Sequence, residues 1–349
     1  MKVMITGNLG YVGPSVMKQL RQSYPSAYLV GMDLGFFEHC LTGVLMSPES
    51  IIDHQIYKDV REVELSDFVG FDAVVHLAAI SNDPMGKTFA RVTDEINCQS
   101  SIKIAHLARA AGVRNYVFAS SCSVYGEASE FPKKEEDGLN PLTAYAKSKI
   151  DTELGLKDLA TDEFIVTCLR FATACGFTAR TRLDLVLNDF VAGAVANGVI
   201  SILSDGTPWR PLIHVTDMAR AIDWAVTRAY DNGGSMLVVN AGSDEWNCQV
   251  KELATTVASE IPGTKVEINL DAIPDKRSYK VDFSKFKELA PNHQPIVSLQ
   301  EAVVGLKDGL MSMEFSDGDF RDSGFMRLNV LNGHIISNRM NDNLKWTGK

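Results

Sequence analysis

Tyr145 and Lys149 stand four residues apart in the run Tyr145-Ala146-Lys147-Ser148-Lys149. On a helix that spacing puts both side chains on one face, with about 5–6 Å between Cβ atoms, so an ammonium can lie beneath a phenol. A cation in that place favours phenolate and lowers a pKa that starts near ~10, which turns tyrosine into a usable base. Taken alone the pair is equally well a solvated surface contact, since the chain holds nine tyrosines. A second group, Ser120-Ser121-Cys122-Ser123-Val124-Tyr125-Gly126, follows the apolar run Tyr116 to Ala119. Just past the carboxyl end of a parallel strand, a hydroxyl such as that of Ser121 faces the ligand crevice and can meet a substrate oxygen, although serines there also commonly form turns. Cys122 reads as buried filler more readily than as a thiol acid/base.

A third group, Thr6-Gly7-Asn8-Leu9-Gly10-Tyr11-Val12-Gly13, comes directly after the first apolar run, Val3 to Ile5. Gly7, Gly10 and Gly13 let a turn tighten and the backbone approach a pyrophosphate, while free N–H groups and the helix dipole attract its charge. The spacing is G-x-x-G-x-x-G, one residue wider at the first gap than the commoner dinucleotide fingerprint, and Pro14 falls in a first helical turn, where a missing N–H costs nothing. Asp33 closes the second apolar run 20 residues after Gly13. A carboxylate there accepts hydrogen bonds from adenosine ribose hydroxyls and repels a 2′-phosphate, which favours NAD over NADP.

The elements that must position these groups are legible from periodicity. Val3 to Ile5, Tyr28 to Met32, Ala73 to Leu77, Tyr116 to Ala119 and Phe164 to Leu169 are brief, rich in β-branched or aromatic residues and bounded by turn formers, so they read as buried strands. Val12 to Arg21, Ile96 to Ala111 and Ala144 to Leu159 repeat apolar side chains at helical spacing. Their alternation predicts an α/β fold with a Rossmann-type, doubly wound parallel sheet and right-handed crossovers. After about residue 175 the rhythm loosens into helices at Leu183 to Ala196 and Thr216 to Ala229, a turn-rich stretch at Ser204 to Pro208 and a strand at Met236 to Val239. The expected organisation is a dinucleotide-binding domain over 1–174 with segments returning near 211–240, an interleaved smaller α/β substrate lobe over 175–312, and a C-terminal extension over 313–349. In that extension Phe325, Leu328, Leu331 and Ile335 recur at near-helical spacing and predict an appended helix.

Composition narrows the function classes. The chain has 349 residues, 45% hydrophobic and 22% charged, which excludes disorder and collagen-like or coiled-coil extremes. A formal charge of -10 repels a phosphate backbone, so nucleic acid is not the expected partner, although a local basic pocket can hold a small anion. Six cysteines form no C-x-x-C pair, and no Cys/His cluster reaches zinc-site spacing, so no metal is assigned and a reducing, cytoplasmic setting is expected. The start of the chain is too short of apolar residues for a signal peptide, and no run approaches the ~18 apolar residues of a membrane span.

Each group is bland alone; in this order they are specific. Over roughly residues 1 to 310 the chain resembles the extended short-chain dehydrogenase/reductase superfamily, in particular its NAD-dependent sugar-nucleotide epimerase/dehydratase branch. Lys58-Asp59-Val60-Arg61 is similar to that family's segment near the adenine, His76-Leu77-Ala78-Ala79 to its fourth-strand cofactor motif, and Asn97 stands where the family commonly has a structural Asn. The resemblance implies that Gly7, Leu9, Gly10, Tyr11, Val12, Gly13, Asp33, Asp59, Val60, Leu77, Ala78 and Ala79 bind NAD together with Tyr145 and Lys149. It implies Tyr145 as acid/base, Lys149 as the residue that holds the nicotinamide ribose and tunes Tyr145, and Ser121 as partner of the reacting hydroxyl. Ser123 and Thr173 fall at substrate-facing positions, Thr173 where several epimerases have an Asn. Asp205 to Asp217 resembles the strand and turn that grip a nucleotide diphosphate; Arg210 is the expected anion clamp because a guanidinium binds phosphate oxygens through two donors. Asn188 and Arg277 match substrate-facing positions more loosely. His214 reads as structural, and Trp209 as either core or nucleotide platform.

Sugar-nucleotide 4,6-dehydratases place an Asp-Glu pair immediately after the Ser/Thr of this stretch, where Cys122 and Ser123 stand here. Removing water from C5 and C6 needs a base and an acid that these residues supply weakly. The expected activity is therefore epimerisation of a nucleotide sugar by transient oxidation of a hydroxyl to a ketone and return of the hydride. A nucleotide-sugar ketoreductase or dehydrogenase is the alternative, ahead of a 4,6-dehydratase or a noncatalytic NAD-binding protein. The resemblance also implies a homodimer joined through Ile96 to Ala111 and Ala144 to Leu159.

Overall fold

A strand that reads as an unbroken apolar run has to be covered on both faces, and this is how the sheet is built. The computed structural model describes residues 1–126, 131–269, 271–272 and 277–348. In chain order the first elements are β1 (Lys2–Thr6), α1 (Gly13–Ser23), β2 (Tyr28–Asp33), β3 (His54–Tyr57), β4 (Ala73–His76), α2 (Asp83–Thr88), α3 (Ala90–Asp94), α4 (Ser100–Ala110), β5 (Asn115–Ser121), α5 (Ala144–Lys157) and β6 (Ile165–Phe171). There follow β7 (Thr173–Cys175), α6 (Val186–Asn197), β8 (Val199–Ile202), β9 (Trp209–His214), α7 (Val215–Ala225) and β10 (Met236–Ala241). The chain continues through β11 (Asn247–Gln249), α8 (Val250–Glu260), β12 (Lys265–Ile268), α9 (Ser284–Leu289), α10 (Leu299–Ser312) and α11 (Arg327–Ile336).

Seven parallel strands form the main sheet in the order β10-β6-β5-β4-β1-β2-β3. Side chains alternate across it. Val3 and Ile5 of β1 pack with Val16, Met17 and Leu20 of α1 and Ile222 of α7 on one face. Met4, Val30 and Met32 pack with Ile104, Ala105 and Ala108 of α4 and Leu156 of α5 on the other. β10 therefore returns to the first sheet after the chain has left it. A second core joins Leu187, Phe190 and Val191 of α6 to Leu253 and Val257 of α8 and Val303, Leu306 and Leu310 of α10. Beside it lie a three-stranded sheet, β11-β9-β7, and the β12-β8 pair.

The departures from periodicity have local causes. The predicted helix from Ile96 begins as a π-helical turn, Glu95–Gln99, and becomes α-helical only at Ser100. Buried Asn97 sits in that turn, its amide accepting from Ile80 N at 2.7 Å and donating to Ile80 O at 2.9 Å, so a side chain staples the widened turn to the loop after β4. α6 starts three residues later than predicted, because extended Leu185 precedes it. β3 was not predicted: it is a four-residue edge strand without a fully buried side chain, so it lacks a strong periodic signal.

Candidate active site

α5 begins where Thr143 caps it, its hydroxyl accepting from Ala146 N at 3.1 Å. Tyr145 lies in the first turn, with Lys149 one turn on and buried. The Lys149 ammonium nitrogen is 5.5 Å from the centre of the Tyr145 ring and 4.6 Å from that of Phe118, and donates to Ala119 O at 2.7 Å. Ser121 ends β5, so its hydroxyl emerges at the carboxyl edge of the sheet, near enough to the Tyr145 phenol to lower its pKa and accepting from Ser123 N at 3.2 Å. Helix spacing and strand end thus bring Ser121, Tyr145 and Lys149 together. The electrostatics differ from the expected lowering of the phenol by Lys149. Burial dominates and pushes Tyr145 up to about 12, against which the neighbouring Ser121 hydroxyl and the Arg182 charge pull it down. Burial likewise lowers Lys149 to about 7, opposed by the Glu153 carboxylate.

Behind these residues stands a buried ion pair that the sequence reading missed. Glu153 follows Lys149 by one more turn and meets Arg170 of β6 through Oε2 to Nη2 at 2.7 Å. Its other oxygen accepts from Ser120 Oγ at 2.5 Å. Arg170 continues to the Tyr125 hydroxyl at 3.0 Å, which donates to Asn240 of β10 at 2.6 Å. Lys149 therefore bonds the carbonyl of residue 119 and Glu153 the hydroxyl of residue 120, on consecutive positions of β5. Cys122 is buried, donates to Arg170 O at 3.0 Å and has its thiol pushed up by desolvation, which fits packing and not acid/base work. The Ser123 hydroxyl is buried with no hydrogen-bond partner among the described residues. Such groups in native sites usually meet water or a ligand.

The glycine loop fits a dinucleotide. Gly7 has φ +77°, and a Cβ there would lie 2.5 Å from Ala78 N; one on Gly13 would lie 1.9 Å from Asn8 O. Only glycine allows this turn and this approach of β1 to the Leu77-Ala78-Ala79 segment. Pro14 occupies the first turn of α1. Asp33 accepts from Leu9 N at 3.1 Å and Gly35 N at 2.8 Å, which holds the loop against β2 and leaves the carboxylate further acceptor capacity. Burial raises its pKa. Asp59 is gripped by the guanidinium of Arg61, Nη2 to Oδ2 at 2.6 Å, with Val60 buried beside it. Half-buried Val12 is the residue from which α1 starts. The Tyr11 hydroxyl is turned to the second lobe, donating to Gly176 O at 2.6 Å.

The other wall is less uniform. Thr173 is half-buried on β7, and Arg210 on β9 donates to Trp209 O at 3.0 Å. Arg277 pairs with Asp83 of α2 at 2.7 Å and so reaches the first lobe; residues 273–276 just before it lie outside the described residues. Asn188 departs from expectation. Fully buried, it accepts from Gly176 N at 3.0 Å and donates to Tyr11 OH at 3.1 Å and Arg182 O at 2.9 Å, so its amide ties the glycine loop to the second lobe. His214 is a cap: its Nδ1 accepts from Thr216 N at 3.2 Å and burial lowers it to about 4. Trp209 is half-buried beneath the Lys280 ammonium, 5.1 Å from its ring centre. A further group that sequence reasoning missed bridges the lobes near Tyr145: Arg182 pairs with Asp184 at 2.5 Å and donates to Ser81 at 2.8 Å, while Asn82 donates to Asp184 at 2.7 Å. About a hundred residues separate the partners, so no spacing signal reveals them.

Comparison with known proteins agrees with this geometry. Residues 3–242 match the family described as the NAD dependent epimerase/dehydratase family. UDP-arabinose 4-epimerase 1 of Arabidopsis thaliana is 25% identical over 296 residues, covering 78% of this chain and 69% of that protein. The structure of MoeE5 in complex with UDP-glucose and NAD is similar at a TM-score of 0.74 and 25% identity, over 89% of this chain and 99% of that one. An NAD-dependent NDP-hexosamine 5,6-dehydratase of tunicamycin biosynthesis, TunA, shares the fold at a TM-score of 0.76 and 21% identity, over 90% and 99% of the two chains.

Proposed function

The chain belongs to the NAD-dependent epimerase/dehydratase family, and from that premise we propose that it is an NAD-dependent nucleotide-sugar epimerase working by transient oxidation. The observation that carries this reading is the convergence of Ser121, Tyr145 and Lys149 at the carboxyl end of β5, beside a glycine turn shaped for a pyrophosphate. Bound NAD supplies a hydride acceptor that returns the hydride it takes. Tyr145 removes the proton of a sugar hydroxyl as its carbon is oxidised, and returns it when the ketone is reduced on its other face. Ser121 shares the hydrogen bond of that hydroxyl and lowers the phenol. Lys149 holds the nicotinamide ribose and adds positive charge beneath the ring. Arg210, Arg277, Ser123 and Thr173 hold the nucleotide diphosphate and sugar, so that binding remote from the reacting carbon positions it.

On this reading residues 1–174 and the returning β10 carry the cofactor and 175–312 the substrate lobe. The protein works as a homodimer in the cytoplasm. An exposed Leu154 on α5, 63% accessible, supports the dimer, and six free cysteines support a reducing compartment. Elimination is disfavoured by the buried, high-pKa thiol of Cys122 where an acid would be needed. The test is incubation of purified protein with a panel of UDP-, dTDP-, GDP- and CDP-sugars, without added NAD, followed by NMR. Inversion at one carbon without net NADH is expected. Stoichiometric NADH would replace the reading with a dehydrogenase, and a deoxy-keto product with a dehydratase. Light scattering tests the dimer.

A further inference from the structure

The C-terminal stretch lies outside the matched region, which ends at residue 242. It is not loose. After α11, residues 339–347 fold into a small hairpin with a Met340–Trp346 bridge and a Thr347 N to Arg339 O bond of 2.9 Å. Leu331, Met340 and Leu344 are buried in the same core as Val30 and Met32 of β2 and Val60 of the segment after β3.

Its polar contacts cluster on the two loops at the carboxyl ends of β2 and β3, with Arg91 of α3 also donating to the Asn343 side chain. Beyond β2, the Trp346 indole donates to Leu34 O at 2.7 Å and its ring meets Phe36 at 5.8 Å between centres. His334 hydrogen-bonds Phe36 O at 3.1 Å, and the Arg327 guanidinium lies 5.2 Å from the centre of the Phe37 ring. Beyond β3, Arg61 donates to Asn343 O at 2.7 Å and Leu344 O at 2.9 Å, and Lys345 pairs with Glu62 at 2.7 Å. Leu34 is the residue after Asp33, and Arg61 is the residue that grips Asp59. These loops flank the adenosine half of a dinucleotide bound across this sheet. From its other end the same stretch reaches the second lobe, where Arg327 donates to Arg180 O at 2.7 Å and Arg321 pairs with Asp189 at 2.8 Å.

We propose that residues 327–347 are a clasp on the adenosine end of the cofactor site, which slows release of the adenine dinucleotide and makes it a retained group. The inference rests on the dinucleotide reading above. Opening either flanking loop outward requires the hairpin to give up contacts that are otherwise closed, so the escape of the adenosine is coupled to the tail. A retained dinucleotide is what a reaction without net redox change needs, because hydride has to return to the same substrate molecule.

The experiment is an exchange measurement. Protein loaded with NAD and freed of excess by gel filtration is chased with fluorescent 1,N6-etheno-NAD. Trp346→Ala removes one hydrogen bond and two ring contacts, to Phe36 and to His334, at a partly exposed position; exchange about tenfold faster than in the unaltered chain is expected. Trp346→Phe, keeping the ring, is expected to fall between. Ile336→Ser alters a side chain that is 81% exposed at the last position of α11, before the hairpin, and is expected to exchange at the unaltered rate. If Trp346→Ala melts at a lower temperature but exchanges its dinucleotide at the unaltered rate, the tail is only a structural brace and the clasp is overturned. Equal acceleration by Ile336→Ser overturns it as well. Failure of the epimerase reading would show in the sugar products and leave the exchange rates readable.

Discussion

The two walls of the crevice are built differently. On the sheet side, Tyr145 and Lys149 share a short helix face and Ser121 ends the strand beside them, all backed by the buried Glu153–Arg170 pair, whose side chains are 6% and 5% exposed. On the lobe side, Arg277 is half exposed and held by a carboxylate from across the crevice. Rigid surroundings suit proton transfer, which fails if the reacting atoms move by an ångström. Adaptable side chains suit grip on a diphosphate, which tolerates several geometries. The comparison separates chemistry from recognition, and it can be broken.

The largest effect belongs to the sheet wall. Tyr145→Phe removes the proposed proton carrier and keeps the ring, so turnover is expected to fall by about 10³-fold with little change in melting temperature, read by NMR of the inverted sugar. An equal loss in Arg277→Ala would erase the distinction.

Next comes the brace. Arg170→Met leaves the Glu153 carboxylate buried without its guanidinium partner, which should cost about 3–5 kcal/mol in urea unfolding, and the double variant with Glu153→Gln should recover much of that. If the single change costs no more than a surface pair, the sheet wall is not rigid for the reason given.

Lys149 offers a pH test on apoprotein. Its folded pKa, about 7, lies below the ordinary lysine value near ~10.4, so between the two the unfolded chain binds the extra proton. Stability of the unaltered chain relative to Lys149→Met should therefore rise as pH increases from about 7 towards 10. A difference independent of pH would mean that the amine is not desolvated.

The smallest effect is on the lobe wall. Arg277→Ala should raise KM for the nucleotide sugar severalfold with kcat nearly unchanged, and change stability by less than about 1 kcal/mol, because the pair is exposed.

The chain alone determined whatever depends on neighbours in sequence. β1, the glycine turn and α1 follow one another within 23 residues. Four-residue spacing places Lys149 with Tyr145, and unbroken apolar runs announce a sheet covered on both faces. Glu153 was equally within reach, since it continues the same helix face by one turn, but a carboxylate in that place gives no sign of burial until Arg170 is seen opposite. Tertiary structure alone decided the rest. Asn188 became a tie between lobes, Arg182 met Ser81 across a hundred residues, and the tail closed over the loops beyond β2 and β3. The physical reason is range. Helix and strand periodicity act over a few residues, whereas burial and hydrogen-bond satisfaction depend on which distant segments arrive together, and burial here raised Tyr145 more than any neighbouring charge lowered it.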